Sequence, residues 1–350
     1  MMISFLLKVI NSNKNVIIDY SHYNSVPLII LKSSDYQIQL VVNTFIFATI
    51  SNDFFEHETI KTDIYENKTI EEAKGNFTLI NNPSIKLSNY SLYYGQIFFI
   101  PHLGLSLAYK FKDESYSFVH KLYHDNYIDY KAFTFNSYNQ IIFGEHIEKI
   151  PFKYKGQFDI DKSYSHWGAN ISGINYRGYH YDFNTHFIVH SGYYQMIVSN
   201  QIFDFMTKVI FEDAIELNNC VIEKSFNEKH LNCYNVGIEG FTNITLQIGK
   251  MSIVLKREDL FVKKFLWESK FMYNPYNNYT FLGYDFIHLM NQTVFDYEKG
   301  TVTFYSDEVI IEMDTTNYTV IKSIILLNLL LCLCINALLI YIKFYIVNKN

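Results

Sequence analysis

The stretch FLGYDFIHLMNQTVFDYEKGTVTFY, residues 281–305, carries the most specific pattern in this chain. It starts with Phe-Leu-Gly at 281–283, continues to Thr-Val-Phe-Asp at 293–296, and ends in the run TVTFY at 301–305. The final run is rich in β-branched and aromatic residues, which favours a β-strand. Several residue types at fixed spacing identify a fold more specifically than any single short motif does.

Short apolar segments of the same kind recur along the chain, separated by polar Asn, Ser, Asp and Gly clusters. The best helical pattern is Ile202–Ile215, and helical periods elsewhere are short. Many short strands with few helices predict an all-β protein. Strands are predicted at Val26–Leu31, Tyr36–Val42, Gln96–Ile100, Ala132–Asn136, Thr185–His190, Asn243–Ile248, Ser252–Lys256 and Thr301–Tyr305.

Length and charge narrow the classes of function. The chain has 350 residues, 49% of them hydrophobic and 18% charged, which predicts a large core in two domains or two lobes. Its net charge is −6 without a basic stripe, so nucleic acid is excluded as a partner. The chain has 30 Tyr and 30 Phe with abundant Asn, Ile and Lys, and only two arginines, Arg177 and Arg257. This bias indicates an AT-rich genome and not a stacking surface for sugars or bases.

The C-terminal run from Ser323 to Ile342 has 20 residues and no charge. That length is enough for a helix to cross a hydrocarbon core of about 30 Å, so one transmembrane helix is predicted here. Cys332 and Cys334 lie inside it, and the flanking Lys322 and Lys343 orient it only weakly. The N-terminus is a poor signal peptide because Lys8 interrupts its apolar stretch.

Two membrane topologies follow from the termini. The domain is either lumenal or extracellular, or the protein is tail-anchored with a cytosolic domain. Asn-x-Ser/Thr sequons favour the first topology, although Asn is common enough for several to arise by chance. Cys220 and Cys233 stand 13 positions apart, and this spacing alone leaves a disulfide undecided. The predicted glycosylation sites are Asn67, Asn76, Asn89, Asn170, Asn243, Asn278, Asn291 and Asn317.

An internal echo links the two halves of the chain. QLVVNTF at 39–45 and FIVHSGY at 187–193 each lead an apolar strand into a pair made of a polar and a hydroxyl residue, and each ends in a bulky residue. Asn43 and His190, the polar residues at the ends of these strands, lie 147 positions apart. A duplicated lobe explains this echo, and chance similarity of two strands is the alternative.

The segment at 281–305 resembles the late part of pepsin-like aspartic peptidases, in which an apolar-Leu-Gly step precedes a short helix, a TVFD run and a final strand. Further blocks resemble the family in its own order, from about residue 16 to residue 312. FFIPHLGLSLAY resembles the family's "DGILGLAY" segment, and which of the two glycines of that segment Gly104 matches is ambiguous. The blocks are 26–44, 98–109, 132–152, 165–178 and 241–262.

The resemblance implies a bilobal pepsin-like fold with short helices, two six-stranded lobes, a peptide cleft between them and a covering flap. It also implies a disulfide between Cys220 and Cys233, and no metal or cofactor. With the membrane helix added, the predicted organisation is an N-terminal segment at 1–15, lobes at 16–150 and 151–312, a stalk at 313–322, a span at 323–342 and a tail at 343–350.

The family's two catalytic aspartates are both replaced in this chain. Asn43 occupies the first Asp-Thr-Gly position and His190 the second, while Thr44 and Ser191 retain the neighbouring hydroxyls. Gly192 retains the second turn, and Phe45 replaces the glycine of the first. The predicted cleft residues are Phe45, Gly192 and Tyr193, and Tyr65 is the nearest candidate for the flap tyrosine.

These replacements remove the chemistry of the family. Its mechanism needs two close carboxylates that share one proton, and an Asn amide neither takes up nor releases a proton near neutral pH. A lone His can act as a base but lacks an acid partner. The sequence therefore predicts a pseudopeptidase whose cleft binds a peptide or protein ligand.

Three alternatives remain at this point. An active, divergent aspartic endopeptidase would need a compensating carboxylate such as Asp35, Asp204 or Asp285 in the cleft. A structural surface glycoprotein would have a closed cleft. A zinc site built from His180, His186 and His190 would require ligands that lie up to about 30 Å apart along one strand, which disfavours it.

Overall fold

The structure is a computed structural model. It describes residues 14–23, 26–33, 36–44, 50–51, 58–65, 68–94, 102–107, 117–144, 152–161, 163, 166–225, 228–234, 241–263, 267–273, 275, 279–313, 327 and 336. The chain divides into two compact units, Met1–Glu312 and Met313–Asn350. In the second unit Leu327 and Asn336 are helical. The rest of the predicted span lies outside the described residues, and no helix within them is long and apolar enough to cross a membrane.

The first unit consists mainly of short strands, as the sequence predicts. In chain order they are β1 (Val16–Asp19), β2 (Ser21–Tyr23), β3 (Val26–Ser33), β4 (Tyr36–Asn43), β5 (Ile50–Ser51), β6 (Glu58–Tyr65), β7 (Lys68–Leu79), β8 (Lys86–Tyr94), β9 (His102–Gly104), β10 (Ala132–Asn136), β11 (Gln140–Phe143), β12 (Tyr154–Asp159), β13 (Gly168–Tyr176), β14 (Tyr179–Val189), β15 (Met196–Val198), β16 (Cys220–Ser225), β17 (Glu228–Cys233), β18 (Ile244–Ile248), β19 (Met251–Leu255), β20 (Phe261–Lys263), β21 (Trp267–Tyr273), β22 (Thr280–Leu282), β23 (Gln292–Asp296), β24 (Thr301–Ser306) and β25 (Ile310–Met313).

Helices in the described residues are few and short. They are α1 (Phe118–His124), α2 (Asn200–Phe205), a π-helical turn (Met206–Ile210), α3 (Glu212–Glu216), a 3₁₀ turn (Arg257–Leu260) and α4 (Tyr284–Leu289). The helix predicted at Ile202–Ile215 is thus confirmed but interrupted. The interruption is a π-bulge, in which the Phe211 N–H bonds the carbonyl of Met206.

The strands form three sheets. The first half of the chain builds an eight-stranded sheet in the order β2-β3-β4-β9-β5-β8-β7-β6. The second half builds an eleven-stranded sheet in the order β16-β17-β21-β15-β22-β14-β13-β18-β19-β25, with β20 beside β21. A six-stranded sheet, β1-β11-β10-β23-β24-β12, takes strands from both halves and joins them.

The implied count of six strands in each lobe is wrong for the described residues. The sheet that joins the halves is itself six-stranded, and β10 pairs with β23 from Ala132↔Asp296 to Asn136↔Gln292. Additional hairpins at the sheet edges, such as β16–β17, lengthen the sheets of the two halves. Edge hairpins extend a sheet without disturbing its centre, because each new strand needs only one hydrogen-bonded neighbour.

The core beneath the joining sheet is aromatic. Phe133 stacks on Phe295 with ring centroids 4.5 Å apart, and Trp167 packs edge-on against both rings. All three side chains are fully buried. Burying one such side chain contributes roughly 2 to 3 kcal/mol, so this cluster is a substantial part of what holds the halves together.

The hairpin β16–β17 carries the disulfide that the resemblance implies. Cys220 and Cys233 face each other as the outermost residue pair of the hairpin, and their sulfur atoms are bonded. Both side chains are buried. The disulfide therefore closes the hairpin at the end where the chain enters and leaves it.

Candidate functional site

Two strand ends, one from each half, meet at the predicted site. β4 ends at Asn43 and lies parallel to β9, with Asn43 opposite Gly104. β14 ends at Val189 and lies parallel to β22, with Val189 opposite Leu282. The His190 N–H continues this ladder by donating to the Leu282 carbonyl at 2.9 Å. The two halves thus present the same local arrangement, which confirms that the 147-residue echo is structural.

Reciprocal hydrogen bonds lock these ends together. Thr44 Oγ1 donates to the Val189 carbonyl at 2.6 Å and accepts from the Ser191 N–H at 3.0 Å. Ser191 Oγ donates to the Val42 carbonyl at 2.7 Å and accepts from the Thr44 N–H at 3.1 Å. Both hydroxyl residues are fully buried. We call these four bonds the interlobe lock; they place the residues that directly precede Thr44 and Ser191 at the same point of the interface.

Gly104, the single glycine of PHLGLSLAY, has a counterpart in the second half of the chain. Gly104 follows Leu103 on β9, as Gly283 follows Leu282 on β22, and both strands lie parallel to the strand that ends at the site. Gly283 needs to be glycine because a Cβ there would collide with the carbonyl oxygens of Tyr194 and Gln195. Gly104 is therefore the counterpart of Gly283.

His190 is held rigidly just before the lock. It is 4% exposed, and its ring packs against Tyr193 at 4.5 Å and Phe281 at 5.0 Å between centroids. Its Nδ1 accepts a hydrogen bond from the Gly192 N–H at 3.1 Å. An imidazole that accepts at Nδ1 carries its proton on Nε2 when neutral, so the Nδ1 lone pair is already in use.

Tyr193 partly covers this histidine and remains accessible. Its side chain is 43% exposed, and its carbonyl accepts from the Tyr284 N–H at 2.6 Å, which fixes the loop against α4. Burial raises the pKa of the Tyr193 hydroxyl, and the nearby charge of Glu228 raises it further. The phenol is therefore protonated, and can donate a hydrogen bond, at neutral and acidic pH.

The opposite side of the site is described less completely. Phe45 lies outside the described residues, and Asn43 is placed by its backbone pairing with Gly104. Tyr65 pairs with Lys68 as the last pair of the β6–β7 hairpin, beside the turn. The backbone of Tyr65 therefore lies next to the tip of this hairpin, and its role as a flap tyrosine stays a prediction.

The compensating carboxylates are engaged elsewhere. Asp285 forms an ion pair with Lys270 at 2.9 Å, and both side chains are 11% exposed. Asp204 forms an ion pair with Lys208 one helical turn away at 3.2 Å. Asp35 lies outside the described residues. Each of these two carboxylates is paired with a lysine and not with a second carboxylate, so neither is placed as half of a dyad.

The three histidines of the zinc alternative do not converge. His180 bonds Asn175 and Asp182 at the far end of the β13–β14 hairpin, and His186 bonds Asn170. Burial lowers the pKa of His186, which keeps its imidazole neutral. Within the part of the chain that the structure describes, no group of three His, Cys, Asp or Glu side chains is placed to hold a metal ion.

Trp167 has a role at the site that sequence reasoning missed. Its carbonyl accepts from the Val189 N–H at 2.9 Å, and its indole N–H donates to the Leu105 carbonyl at 2.8 Å. Tyr297 also donates to that carbonyl at 2.8 Å. Trp167 thus connects the segments that follow β9 and lead into the lock. The sequence offered one signal that Trp167 is important: tryptophan is rare in this chain, which has only two.

The sequons that the structure describes lie at or near the surface. Asn76, Asn89, Asn170 and Asn243 are exposed, and Asn291 is half-buried. The Asn89 N–H donates to the Asn76 side-chain oxygen at 3.0 Å, so these two acceptors are neighbours on β7 and β8. Asn67, Asn278 and Asn317 lie outside the described residues.

Comparison with known proteins supports the fold. No protein-family model matches the chain. No curated protein matches it either. Among solved structures, the aspartic proteinase from Irpex lacteus superposes with a TM-score of 0.65, covering 84% of this chain and 98% of that one, at 11% identity. The chain therefore has the pepsin-like aspartic proteinase fold.

Proposed function

We propose that this protein is a pseudopeptidase: it binds an extended peptide or protein segment in the cleft of a pepsin-like fold and does not cleave it. The observation that carries the proposal is the intact interlobe lock beside two positions that lack carboxylates. Thr44 and Ser191 make all four reciprocal bonds, yet the residues before them are Asn43 and His190. The scaffold is retained where the reactive groups are replaced.

The groups at these positions do not support water activation. Hydrolysis by a dyad needs one carboxylate to take a proton from water and the other to donate one to the peptide carbonyl. The amide of Asn43 does neither, and the Nδ1 lone pair of His190 is occupied by the Gly192 N–H. Each lost role is worth about 10² to 10⁴ in rate, so ordinary proteolysis is lost.

The surroundings of His190 support binding of a peptide. The exposed ring of Tyr193 and the buried ring of Phe281 form an apolar wall beside the two strand ends. The Tyr193 hydroxyl offers a hydrogen-bond donor to a peptide carbonyl. β6 is an edge strand of the eight-stranded sheet, and an edge strand offers unpaired backbone groups to an extended ligand.

A cleavage and capture assay tests this proposal. Full-length protein in detergent is incubated with a fluorogenic peptide library between pH 3 and pH 7, with and without pepstatin. We expect no pepstatin-sensitive cleavage, together with retention of intact peptides after gel filtration. Tyr193→Ala should weaken retention, whereas Tyr179→Ala, at the exposed turn of β13–β14, should not. Pepstatin-blocked turnover by the unmodified protein would instead establish the active, divergent peptidase.

Failure of capture has a separate meaning. If no peptide is cleaved and none is retained, the cleft is closed, and the structural surface glycoprotein becomes the better interpretation. If both tyrosine variants lose peptide retention, the peptides adhere to exposed aromatic side chains in general. Retention would then no longer support binding in the cleft.

We also propose that the domain is lumenal or extracellular and that the chain crosses the membrane once at Ser323–Ile342. The buried Cys220–Cys233 disulfide and the exposed sequons support this topology over a cytosolic, tail-anchored one. Treating membranes with a glycosidase should shift the mobility of the protein, and Cys220 should label only after reduction. No mobility shift, combined with free labelling of Cys220, would establish the cytosolic topology.

A further inference from the structure

Both arginines of the chain line one surface depression. Arg177 and Arg257 are 80 positions apart in a sequence that otherwise uses lysine as its basic residue. The depression has a volume of about 620 Å³ and is open to solvent. It is lined by Arg177, Phe241, Thr242, Asn243, Lys256, Arg257 and Glu258.

The sheet explains why these residues converge. Tyr176 on β13 lies opposite Ile244 on β18, and Ile244 lies opposite Leu255 on β19. The end of β13, the start of β18 and the end of β19 therefore lie side by side at one edge of the sheet. Arg177 follows the first, Lys256 follows the third, and Asn243 precedes the second. The basic residues are placed together by strand register and not by a local sequence motif.

Arg177 adopts an unusual backbone conformation. Its φ is +49°, followed by Gly178 at +81°, a pair of positive values that defines a type I′ turn. All the other non-glycine residues with positive φ in the described ranges are asparagines, at 89, 126, 139 and 218. Asparagine tolerates this region, while a longer side chain is disfavoured there. Because this chain places asparagine at the other such positions, an arginine at this turn indicates that its guanidinium group has a function.

The charges of the depression favour an anion. Arg177, Lys256 and Arg257 carry three positive charges, and Glu258, whose carboxylate bonds Arg257 Nε at 3.0 Å, carries one negative charge. The Arg177 guanidinium lies over the Tyr176 ring, 5.2 Å from its centroid, which limits its rotamers. A pre-oriented guanidinium binds two oxygens of an oxyanion in parallel, which lysine does not do.

We propose that this depression binds a phosphate group, either of a soluble phosphate compound or of a lipid headgroup. The site is independent of the peptide cleft: it lies at the Tyr179 end of β14, while His190 follows the opposite end. An 11-residue strand separates the two by roughly 30 Å. Failure of one proposal therefore leaves the other unaffected.

Binding is measured by isothermal titration of pyrophosphate into full-length protein in detergent. All proteins carry Asn243→Gln, so that no glycan stands at the rim. We expect saturable binding that Arg177→Asn weakens by about ten-fold or more, the effect of removing one charge-assisted hydrogen-bonding partner. Arg257→Gln should weaken it similarly. Lys224→Gln, which removes an exposed charge from β16, is the matched control and should leave affinity unchanged.

Arg177→Asn separates binding from folding. Because asparagine suits a positive φ, this variant should keep or raise the melting temperature while it loses affinity. No saturable binding of pyrophosphate, or equal affinity of Arg177→Asn and the unmodified protein, would overturn the proposal. An equal loss in Lys224→Gln would show that net charge alone is responsible and would overturn it as well.

Short-chain lipids distinguish the two sources of phosphate. Dioctanoyl phosphatidylinositol 4-phosphate and dioctanoyl phosphatidylcholine are titrated below their critical micelle concentrations. Tighter binding of the first than of pyrophosphate, lost in Arg177→Asn, assigns a lipid headgroup. Equal or weaker binding assigns a soluble phosphate compound. The phosphatidylcholine, whose single phosphate charge is offset by its quaternary ammonium group, should not bind measurably.

Discussion

Restoring both carboxylates, with Asn43→Asp and His190→Asp in one chain that also carries Phe45→Gly, is expected to create pepstatin-sensitive hydrolysis. The interlobe lock already holds the two strand ends in contact, so two aspartates there would share one proton. The Oδ1 atom of an aspartate and the Nδ1 atom of a histidine are separated from the backbone by the same number of bonds. Aspartate at position 190 can therefore keep the hydrogen bond from the Gly192 N–H.

The size of the gain follows from the roles restored. Each protonation role contributes about 10² to 10⁴ in rate, so the triple variant should exceed either protein with a single aspartate by at least two orders of magnitude. Glycine at position 45 is included because the resemblance implies a glycine at this position, where Phe45 stands. Cleavage of the peptide library near pH 4 is the measurement, since a shared proton requires one neutral and one ionised carboxyl group.

The controls make the outcome specific. Asn43→Asp with Phe45→Gly, and His190→Asp with Phe45→Gly, should both remain inactive, because a lone carboxylate lacks its partner. Circular dichroism and melting temperature confirm that each protein is folded. If the triple variant is folded but neither cleaves peptides nor binds pepstatin, the cleft no longer has a productive geometry. The peptide-binding proposal would then lose its basis.

Removing the interlobe lock should have the largest effect on stability. Thr44→Val leaves the Ser191 N–H and the Val189 carbonyl without their partner, both in a fully buried place. A buried polar group left unsatisfied costs about 1 to 3 kcal/mol, so this variant should lose about 2 to 4 kcal/mol of the free energy of unfolding. Ser191→Ala should cost a similar amount through the Thr44 N–H and the Val42 carbonyl.

Urea unfolding, followed by tryptophan fluorescence, measures these losses. Thr245→Val, on β18 and half-buried, is the matched control and should cost less than about 1 kcal/mol. The double variant Thr44→Val with Ser191→Ala should deviate from additivity, because both residues belong to one hydrogen-bond network. Losses no larger than that of Thr245→Val would mean that the lobes are held by aromatic packing alone. Peptide capture should fall in parallel, because the lock positions the cleft.

The sequence predicted those parts of the site that depend on local pattern. Asn43 and His190 stand out because each ends an apolar strand and precedes a hydroxyl residue, and the structure joins those hydroxyl residues in the lock. The strand partners of Tyr65 and Gly104 were harder to predict. Tyr65 pairs with Lys68 and Gly104 pairs with Asn43, and pairing between strands leaves little trace in one sequence.

By itself, the sequence determined an all-β chain and suggested two related halves, because strand patterns and turn residues act over a few positions. The prediction that Asn43 and His190 occupy the catalytic positions also required no coordinates. Only the tertiary structure decided how the halves are joined. Trp167 connects to Leu105 across 62 positions, and the six-stranded sheet mixes strands from both ends of the chain. The meeting of Arg177 with Arg257 depends on the register of three strands. Such contacts depend on which surfaces bury each other, and this is determined by the packing of all the elements together and not by any local stretch of sequence.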